Sequence, residues 1–248
     1  MAKLIKKPSA LQDEYLALKS KFSKILIALL IFIVLAIVGN LVMLNTPLNT
    51  TGLVVTCLSV LGFLVSLIMI TTTQNEIVIK RQGIEGEERV SSILSSSLDD
   101  SYTIIQNVMV TLDGKSSELD LVVVGNNGIF IVEVKNRNGR IQGSFDNSRW
   151  YQHKVGSGGG VYSSSFYSPV KQVSTHIFRL AGFLRQNGVR FHILGSVFFS
   201  NPEALLRIEG EPGNIPVFGS YEDLIHYIRI YNGSLPYEIK EKVIGLLK

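Results

Sequence analysis

Asp120, Glu133 and Lys135 have the types and the spacing to bring acid, base and cation chemistry to one point. Asp120 lies in SELDLVVVG (Ser117–Gly125), the other two in GIFIVEVKN (Gly128–Asn136), and Asn126-Asn127 joins the segments. Asparagine tolerates positive φ, so a hairpin with a two-residue type I′ turn is expected. If Gly125 opposes Gly128, Asp120 falls directly opposite Glu133, with Cβ atoms roughly 4.5–5.5 Å apart on one side of the sheet. Lys135, two residues beyond Glu133, points the same way. Two carboxylates so placed on an apolar sheet repel each other unless a cation separates them. A divalent metal is the economical answer.

Glu87 joins them by helix geometry. A helix expected over about Glu85–Leu98 carries Val90, Ile93, Leu94 and Leu98 as its apolar stripe, and Glu87 falls inside that stripe while Glu88 faces water. An inward carboxylate must be paired, protonated or close to a metal. Asp120 and Glu133, with the backbone carbonyl of Val134, offer the hard oxygen donors that suit Mg²⁺ or Mn²⁺. Such an ion polarises a phosphoryl oxygen and acidifies a bound water. Lys135 would orient that water or stabilise the developing charge, and Glu87 would take a proton or hold the metal indirectly. These groups suffice for phosphodiester hydrolysis; a plain salt-bridge network is the alternative. On a second helix, Val170 to about Gln186, Gln172, His176, Arg179 and Phe183 share the flank beside the apolar stripe, where Gln172 and His176 could meet a phosphate or a metal-bound water. The four histidines lack zinc-ligand spacing, and no Walker loop, dinucleotide-binding glycine pattern or nucleophile elbow occurs.

The elements that must position these groups follow in order. Strands are expected at Thr103–Leu112, Glu118–Gly125, Gly128–Asn136, Arg140–Phe145, Arg149–Val155, Phe191–Ser200 and near Ile215–Phe218, with helices at Tyr221–Tyr231 and Pro236–Leu247. Gly156–Ser168, rich in Gly, Ser and Tyr and without periodicity, reads as a mobile loop. Trp150, Tyr151, Tyr162, Phe166 and Tyr167 interleave with basic residues and could stack on bases, with Trp150 better suited to a core.

Ahead of this domain, Ile25–Leu44 and Gly52–Thr71 are each 20 residues without a charge. That length crosses ~30 Å of hydrocarbon, and Asn45–Thr51 allows only a tight turn, so a two-span transmembrane hairpin is expected. A cleaved leader does not fit, since the first run is too long and a second span follows at once. Six lysines precede the first span, none lies in the connector, and Lys80 and Arg81 follow the second, which directs both termini to the cytoplasm. Asn49-Thr50-Thr51 matches a glycosylation acceptor but would sit too close to the bilayer. Leu11, Tyr15, Leu18 and Phe22, with a capping box from Ser9 and Gln12, suggest an amphipathic helix on the inner leaflet. The single cysteine, Cys57, excludes a disulfide framework.

The net charge of +4 belongs to residues 1–24, and residues 76–248 balance at 18 basic and 18 acidic. Within them the charge is segregated: 134–190 hold nine basic residues and one acid, Asp146, whereas 76–133 hold four basic and ten acidic. A polyanion would be gripped by the basic block. Overall neutrality implies modest intrinsic affinity and leaves room for a partner protein that delivers substrate.

Gly83–Val90 (GIEGEERV), Glu118–Gly143 (ELDLVVVGNNGIFIVEVKNRNGRIQG), Trp150 and Ser168–Val173 (SPVKQV) resemble the NERD, or nuclease-related, domain. That domain is similar to the PD-(D/E)xK nucleases, which include Holliday-junction resolvases and restriction enzymes. The resemblance spans roughly residues 80–200. It implies an α/β restriction-endonuclease-like αβββαβ core with a mixed sheet, an active-site set of Glu87, Asp120, Glu133 and Lys135, and Gln172 as a helical accessory. It also implies a mainly bacterial source, where such domains are often joined to membrane helices. Asp120 lacks the preceding proline of the superfamily motif, which is dispensable there. The expected organisation is a basic amphipathic segment (1–24), a hairpin (25–71, with spans 25–44 and 52–71), a linker (72–84), the nuclease-like domain (85–200) and a C-terminal extension packed on it (201–248). The expected activity is membrane-anchored, metal-dependent cleavage of DNA or RNA; the alternative is a non-catalytic module binding nucleic acid or protein.

Overall fold

A computed structural model describes residues 1–45, 50–155, 159–211 and 213–248. The hairpin connector and Asn49 of the glycosylation acceptor lie largely outside them. The chain forms two compact units, one made of residues 10–82 and the other of residues 1–9 together with 83–248.

The first unit is a pair of helices. α1 runs Ala10–Asn45 and α2 runs Thr50–Ser97, the latter passing out of this unit at Gln82. Both are long and apolar enough to cross a membrane. Apolar side chains face outward along them, with Leu30, Leu58 and Ile68 each about 60% exposed, a surface that water disfavours and lipid accepts. Close approach rests on glycine: a Cβ at Gly39 would stand 2.5 Å from Thr56 Oγ1, and one at Gly62 would strike Phe32. Lys80 and Glu14 pair beyond the apolar stretch. Residues 11–22 form no separate interfacial helix. With no proline or glycine to interrupt it, the helix simply continues into the span, because extending a helix is cheaper than nucleating a new one. Residues 72–84, expected as a polar, partly helical linker, are helical throughout as part of α2, which runs on through Gly83.

The second unit is built on a six-stranded mixed sheet of order β1-β2-β3-β4-β8-β10. Its strands are β1 (Lys3–Ile5), β2 (Thr103–Leu112), β3 (Lys115–Gly125), β4 (Gly128–Lys135), β8 (Ile193–Phe199) and β10 (Val217–Phe218). β2, β3 and β4 form an antiparallel meander, and β8 joins β4 in parallel. α3 (Pro169–Gln186) makes the crossover, so α2-β2-β3-β4-α3-β8 is the αβββαβ core. One sheet side packs against Leu180 and Leu184 of α3 and Val243 and Leu247 of α5 (Tyr237–Leu247). The other packs against Val90, Leu94 and Leu98 of α2 and Leu224 and Ile228 of α4 (Tyr221–Ile230). Near-continuous Val/Ile/Leu runs in β3 and β4 follow from this double coverage.

A second sheet of order β7-β6-β5-β9 grows out of the β4–α3 connection. It comprises β5 (Gly139–Ser144), β6 (Arg149–Val155), β7 (Val161–Tyr167) and β9 (Ala204–Glu209). Trp150, fully buried, stacks on Phe199 with rings 5° from parallel and donates from Nε1 to the Ser144 carbonyl at 3.0 Å. Most of the expected loop Gly156–Ser168 is therefore strand β7, paired to β6 from Val155↔Val161 to Arg149↔Tyr167; 156–158 fall outside the described residues. The C-terminal extension is woven in: β9 pairs with β5 and β10 with β8.

The N-terminus also differs from expectation. β1 adds to β2 in parallel, Ala2 is buried, and its amide donates to the Ser95 carbonyl at 2.9 Å.

Candidate functional site

The β3–β4 ladder runs from Gly125↔Gly128 to Leu121↔Val132 and then stops. Its register is the one that puts Asp120 opposite Glu133. At that point Asp120 turns its carboxylate into the gap, and Oδ2 accepts the Val134 amide at 2.7 Å. The neighbouring strand explains the break. Asn107, which the β2–β3 register sets against Asp120, has φ 52°. Beyond it the alternation slips by one, so that Ile105 and Val122 but also Val108 and Leu119 enter the same core. Asp120 sits at this slip, where a side chain replaces a missing ladder bond.

Glu133 is fully buried on β4, and its Oε1 meets Lys135 Nζ at 2.5 Å. Its Oε2 lies 3.4 Å from Nδ1 of the buried His176 on α3, too far for a good hydrogen bond, and among the described residues neither atom has one. Burial works to raise the Glu133 pKa, but the ammonium of Lys135, then His176, outweigh it and hold it below the ordinary value. Asp120 goes the other way: burial, then the Glu133 charge, push it well above the carboxylate range. Glu87 rises to about 7 through burial, then Glu118, then Glu133. Lys135 is held above its usual value because the attraction of Glu133 and Asp120 exceeds the penalty of burial. Three carboxyl groups thus crowd one ammonium, and burial with mutual repulsion raises the pKa of two of them.

Glycine brings Glu87 here. A Cβ at Gly86 would stand 2.8 Å from Asn136 Cβ and 3.1 Å from Ser200 Oγ, so only glycine lets α2 come this close to the ends of β4 and β8. α3 is positioned by Ser168, whose Oγ caps the helix by accepting the Lys171 amide at 3.4 Å, with Pro169 in the first turn. Gln172 occupies the turn before His176, partly exposed on the same flank. Arg179 is drawn elsewhere, to the Ser116 carbonyl at 3.0 Å and to the Ser117 hydroxyl. The structure therefore gathers Glu87, Asp120, Glu133, Lys135 and His176, keeps Gln172 one turn away, and assigns Arg179 to the start of β3. Sequence reasoning passed over Glu118, although its place two residues before Asp120 was a usable signal, and Ser200, whose buried Oγ has no hydrogen bond among the described residues.

Among the described residues no three His, Cys, Asp or Glu side chains stand ready to hold a metal. Mg²⁺ asks for less: it keeps several waters and needs only one or two carboxylates. Asp120 and Glu133, with an oxygen of Glu133 lacking a hydrogen bond and an excess of negative charge around them, fit a hard cation on those terms. The Val134 carbonyl, next after Glu133 in the chain, is the backbone donor beside them.

The fold and this cluster define a mixed α/β domain with a carboxylate–lysine centre at the broken end of a hairpin. The sequence model of the family described as "Nuclease-related domain" (NERD) matches residues 82–200, and this part of the chain is a nuclease-related domain. The chain is also similar to an uncharacterized protein of Bacillus anthracis, 32% identical over 136 residues. That match covers 52% of this chain and 61% of the other protein's length. No solved structure is significantly similar to it.

Proposed function

We propose that the protein is a membrane-anchored, metal-dependent nuclease that hydrolyses phosphodiester bonds of DNA or RNA. The carrying observation is the meeting of Asp120, whose Oδ2 accepts the Val134 amide at 2.7 Å, with the buried Glu133, whose Oε2 has no hydrogen bond among the described residues. Burial and the Glu133 charge raise the Asp120 pKa, a penalty that a divalent cation would relieve. Asp120, Glu133 and the Val134 carbonyl would hold Mg²⁺ or Mn²⁺, which when bound supplies an acidified water and a polarised phosphoryl oxygen. Lys135 Nζ, anchored on Glu133, presents positive charge to the phosphoryl group. Glu87, with a pKa of about 7, can take or release a proton near neutral pH. Gln172, partly exposed one turn from His176, would hydrogen-bond a phosphate oxygen.

The anchoring follows from chain connectivity. Residues 1–9 and 83–248 belong to one folded unit, so if α1 and α2 both span, both termini lie on the same side of the bilayer. The lysines flanking the spans direct that side to the cytoplasm.

One observation favours the non-catalytic reading, a nucleic-acid- or protein-binding module on the same fold. The Lys135–Glu133 pair already satisfies one oxygen of the buried acid, as a structural ion pair does. The two separate in one assay with the full chain in neutral detergent, given labelled single- and double-stranded DNA and RNA with Mg²⁺, Mn²⁺ or EDTA. The nuclease reading requires metal-dependent cleavage that Asp120→Asn and Lys135→Ala each abolish; binding without cleavage under all conditions supports the module.

A further inference from the structure

We propose that the outer face of the β7-β6-β5-β9 sheet is a binding surface for single-stranded nucleic acid, on which Tyr151 and Tyr167 stack bases while Arg140, Arg149 and Arg207 hold phosphates. The inference rests on the nucleic-acid reading above and names where on the molecule the strand is gripped.

Register fixes which residues share that face. Arg140 opposes His153 and Gln142 opposes Tyr151 across β5 and β6, while Arg149 opposes Tyr167 across β6 and β7. On the far side, β9 brings Arg207 beside Gln142. The alternate residues Ile141, Trp150, Leu206 and Ile208 point the other way into the core. This alternation is that of a sheet with one solvated face, yet the solvated face is not an ordinary polar one. Tyr151 and Tyr167 are 48% and 56% exposed. They lie on adjacent strands in the diagonal relationship, with Cα atoms roughly 7–8 Å apart. Three arginines come from three different strands, with one acid, Glu209, at the rim.

Charge decides the occupant. The soluble part of the chain balances to zero, but residues 134–190, which include β5, β6 and β7, hold nine basic residues and one acid, and three arginines of the soluble part meet on this face. Around the tyrosines lie Ser163, Ser165 and Gln142, polar side chains well suited to sugar and phosphate contacts, with Leu205 exposed toward the β9 edge. Tyrosine rings stack on any base, and Arg presents a planar fork to phosphate. A four-stranded sheet is roughly 14 Å across, enough for an extended single strand and too narrow to cradle a duplex.

The test uses the full chain in neutral detergent with EDTA, so that nothing is cleaved, and a fluorescent oligothymidylate of about fifteen nucleotides, near the upper site size for one such platform. Anisotropy titrations are expected to show binding that Tyr151→Ala with Tyr167→Ala weakens about tenfold or more. Arg140→Gln, Arg149→Gln and Arg207→Gln together are expected to lower the slope of log K against log salt by about 2. All five side chains are exposed, so unchanged melting temperatures certify the variants as folded. Wild-type protein that ignores the oligonucleotide, or variants that bind as well as wild type, overturn the proposal. So does a result in which phosphatidylglycerol vesicles, rather than the oligonucleotide, lose affinity in the arginine variant. Asp120→Asn is expected to bind like wild type. Retained binding without cleavage by the wild-type chain in Mg²⁺ removes the enzymatic reading alone, while wild-type cleavage with binding indifferent to the five residues removes this one alone.

Discussion

The Val134 amide donates to Asp120 Oδ2 at 2.7 Å, a bond that in an uninterrupted hairpin would go to the backbone of β3. The two strands part here, and the parting creates the site: it turns an acid inward beside Glu133, so that the carboxylates crowd the ammonium of Lys135. The arrangement costs stability, and a bound cation would relieve it.

Asp120→Asn therefore separates stability from activity. The amide oxygen can still accept from Val134, while the charge that repels Glu133 and Glu87 is gone. In EDTA at pH 8 the variant is expected to melt higher than wild type, by the equivalent of about 1 kcal/mol, and to show no cleavage. Thermal denaturation in parallel with the nuclease assay reads both; a variant that melts lower removes the claim of repulsion.

Glu87 sets a pH dependence with a definite sign. Its pKa rises from 4.5 unfolded to about 7 folded, so between those values the folded state binds more protons than the unfolded. Stability from this group is full below about pH 4.5 and is lost as pH rises through about 7, an effect on the order of 3 kcal/mol. Asp120, also raised, adds in the same direction. Glu133, lowered, loses its contribution only as pH falls toward and below its ordinary range. Metal-free protein should thus melt higher at pH 5.5 than at pH 8, and Mg²⁺ should raise Tm more at pH 8. Glu87→Gln is expected to flatten the first difference. A Tm that climbs steadily from pH 5.5 to 8 in EDTA would contradict the assignment.

Gly86→Ala sets two magnitudes against each other. Alanine in a helix interior gains about 1 kcal/mol over glycine. The new Cβ at 2.8 Å from Asn136 Cβ forces a shift that costs about 1–3 kcal/mol. Packing wins, so net destabilisation by about 1 kcal/mol is expected, with a larger loss of activity because Glu87 moves off the cluster. Urea titration and cleavage rates measure the two. A stabilised variant of unchanged rate would show that the helix has room.

How far the residues themselves announced this architecture depends on what each element buries. The hairpin was legible to the residue because both strands are covered on two sides, and a one-residue slip would bury polar groups. Helix and strand periods, which packing enforces, gave the elements one by one, while the αβββαβ order was implied by the family resemblance. β7 hid because its side chains are exposed on both faces except Phe166, leaving serines where alternation should be. β9 hid in a segment set aside as an extension, although Leu206 and Ile208 pack inward while Leu205 and Arg207 face out. In the site, Asp120 and Glu133 were found by register, but the slip at Asn107 depends on a backbone torsion that no side-chain pattern reveals. Glu118 escaped for a related reason: its influence on Glu87 arises between a strand and a helix distant in sequence.

The N-terminal residues give the last prediction. Lysines 3, 6 and 7 read as membrane-surface charge, yet Lys3–Ile5 form an edge strand of the sheet. Ser95 Oγ donates to the Ala2 carbonyl at 2.8 Å, Asn107 Nδ2 to the Lys7 carbonyl at 2.6 Å, and Lys7 Nζ to the Leu247 carbonyl at 3.2 Å. A fragment spanning 83–248, the natural choice for a soluble domain, removes all of these and bares the β2 edge next to Ile104 and Ile105. Net hydrogen bonds of about 1 kcal/mol each put the loss on the order of 3 kcal/mol or more, and an open apolar edge invites association. The fragment is expected to aggregate or melt at low temperature. Restoring residues 1–9 ahead of Gly83 through a flexible Gly/Ser linker is expected to recover a monomer with a higher Tm, measured by light scattering and calorimetry. Equal behaviour of the two fragments would mean that β1 is ornamental, and the same-side placement of the termini would lose its structural basis.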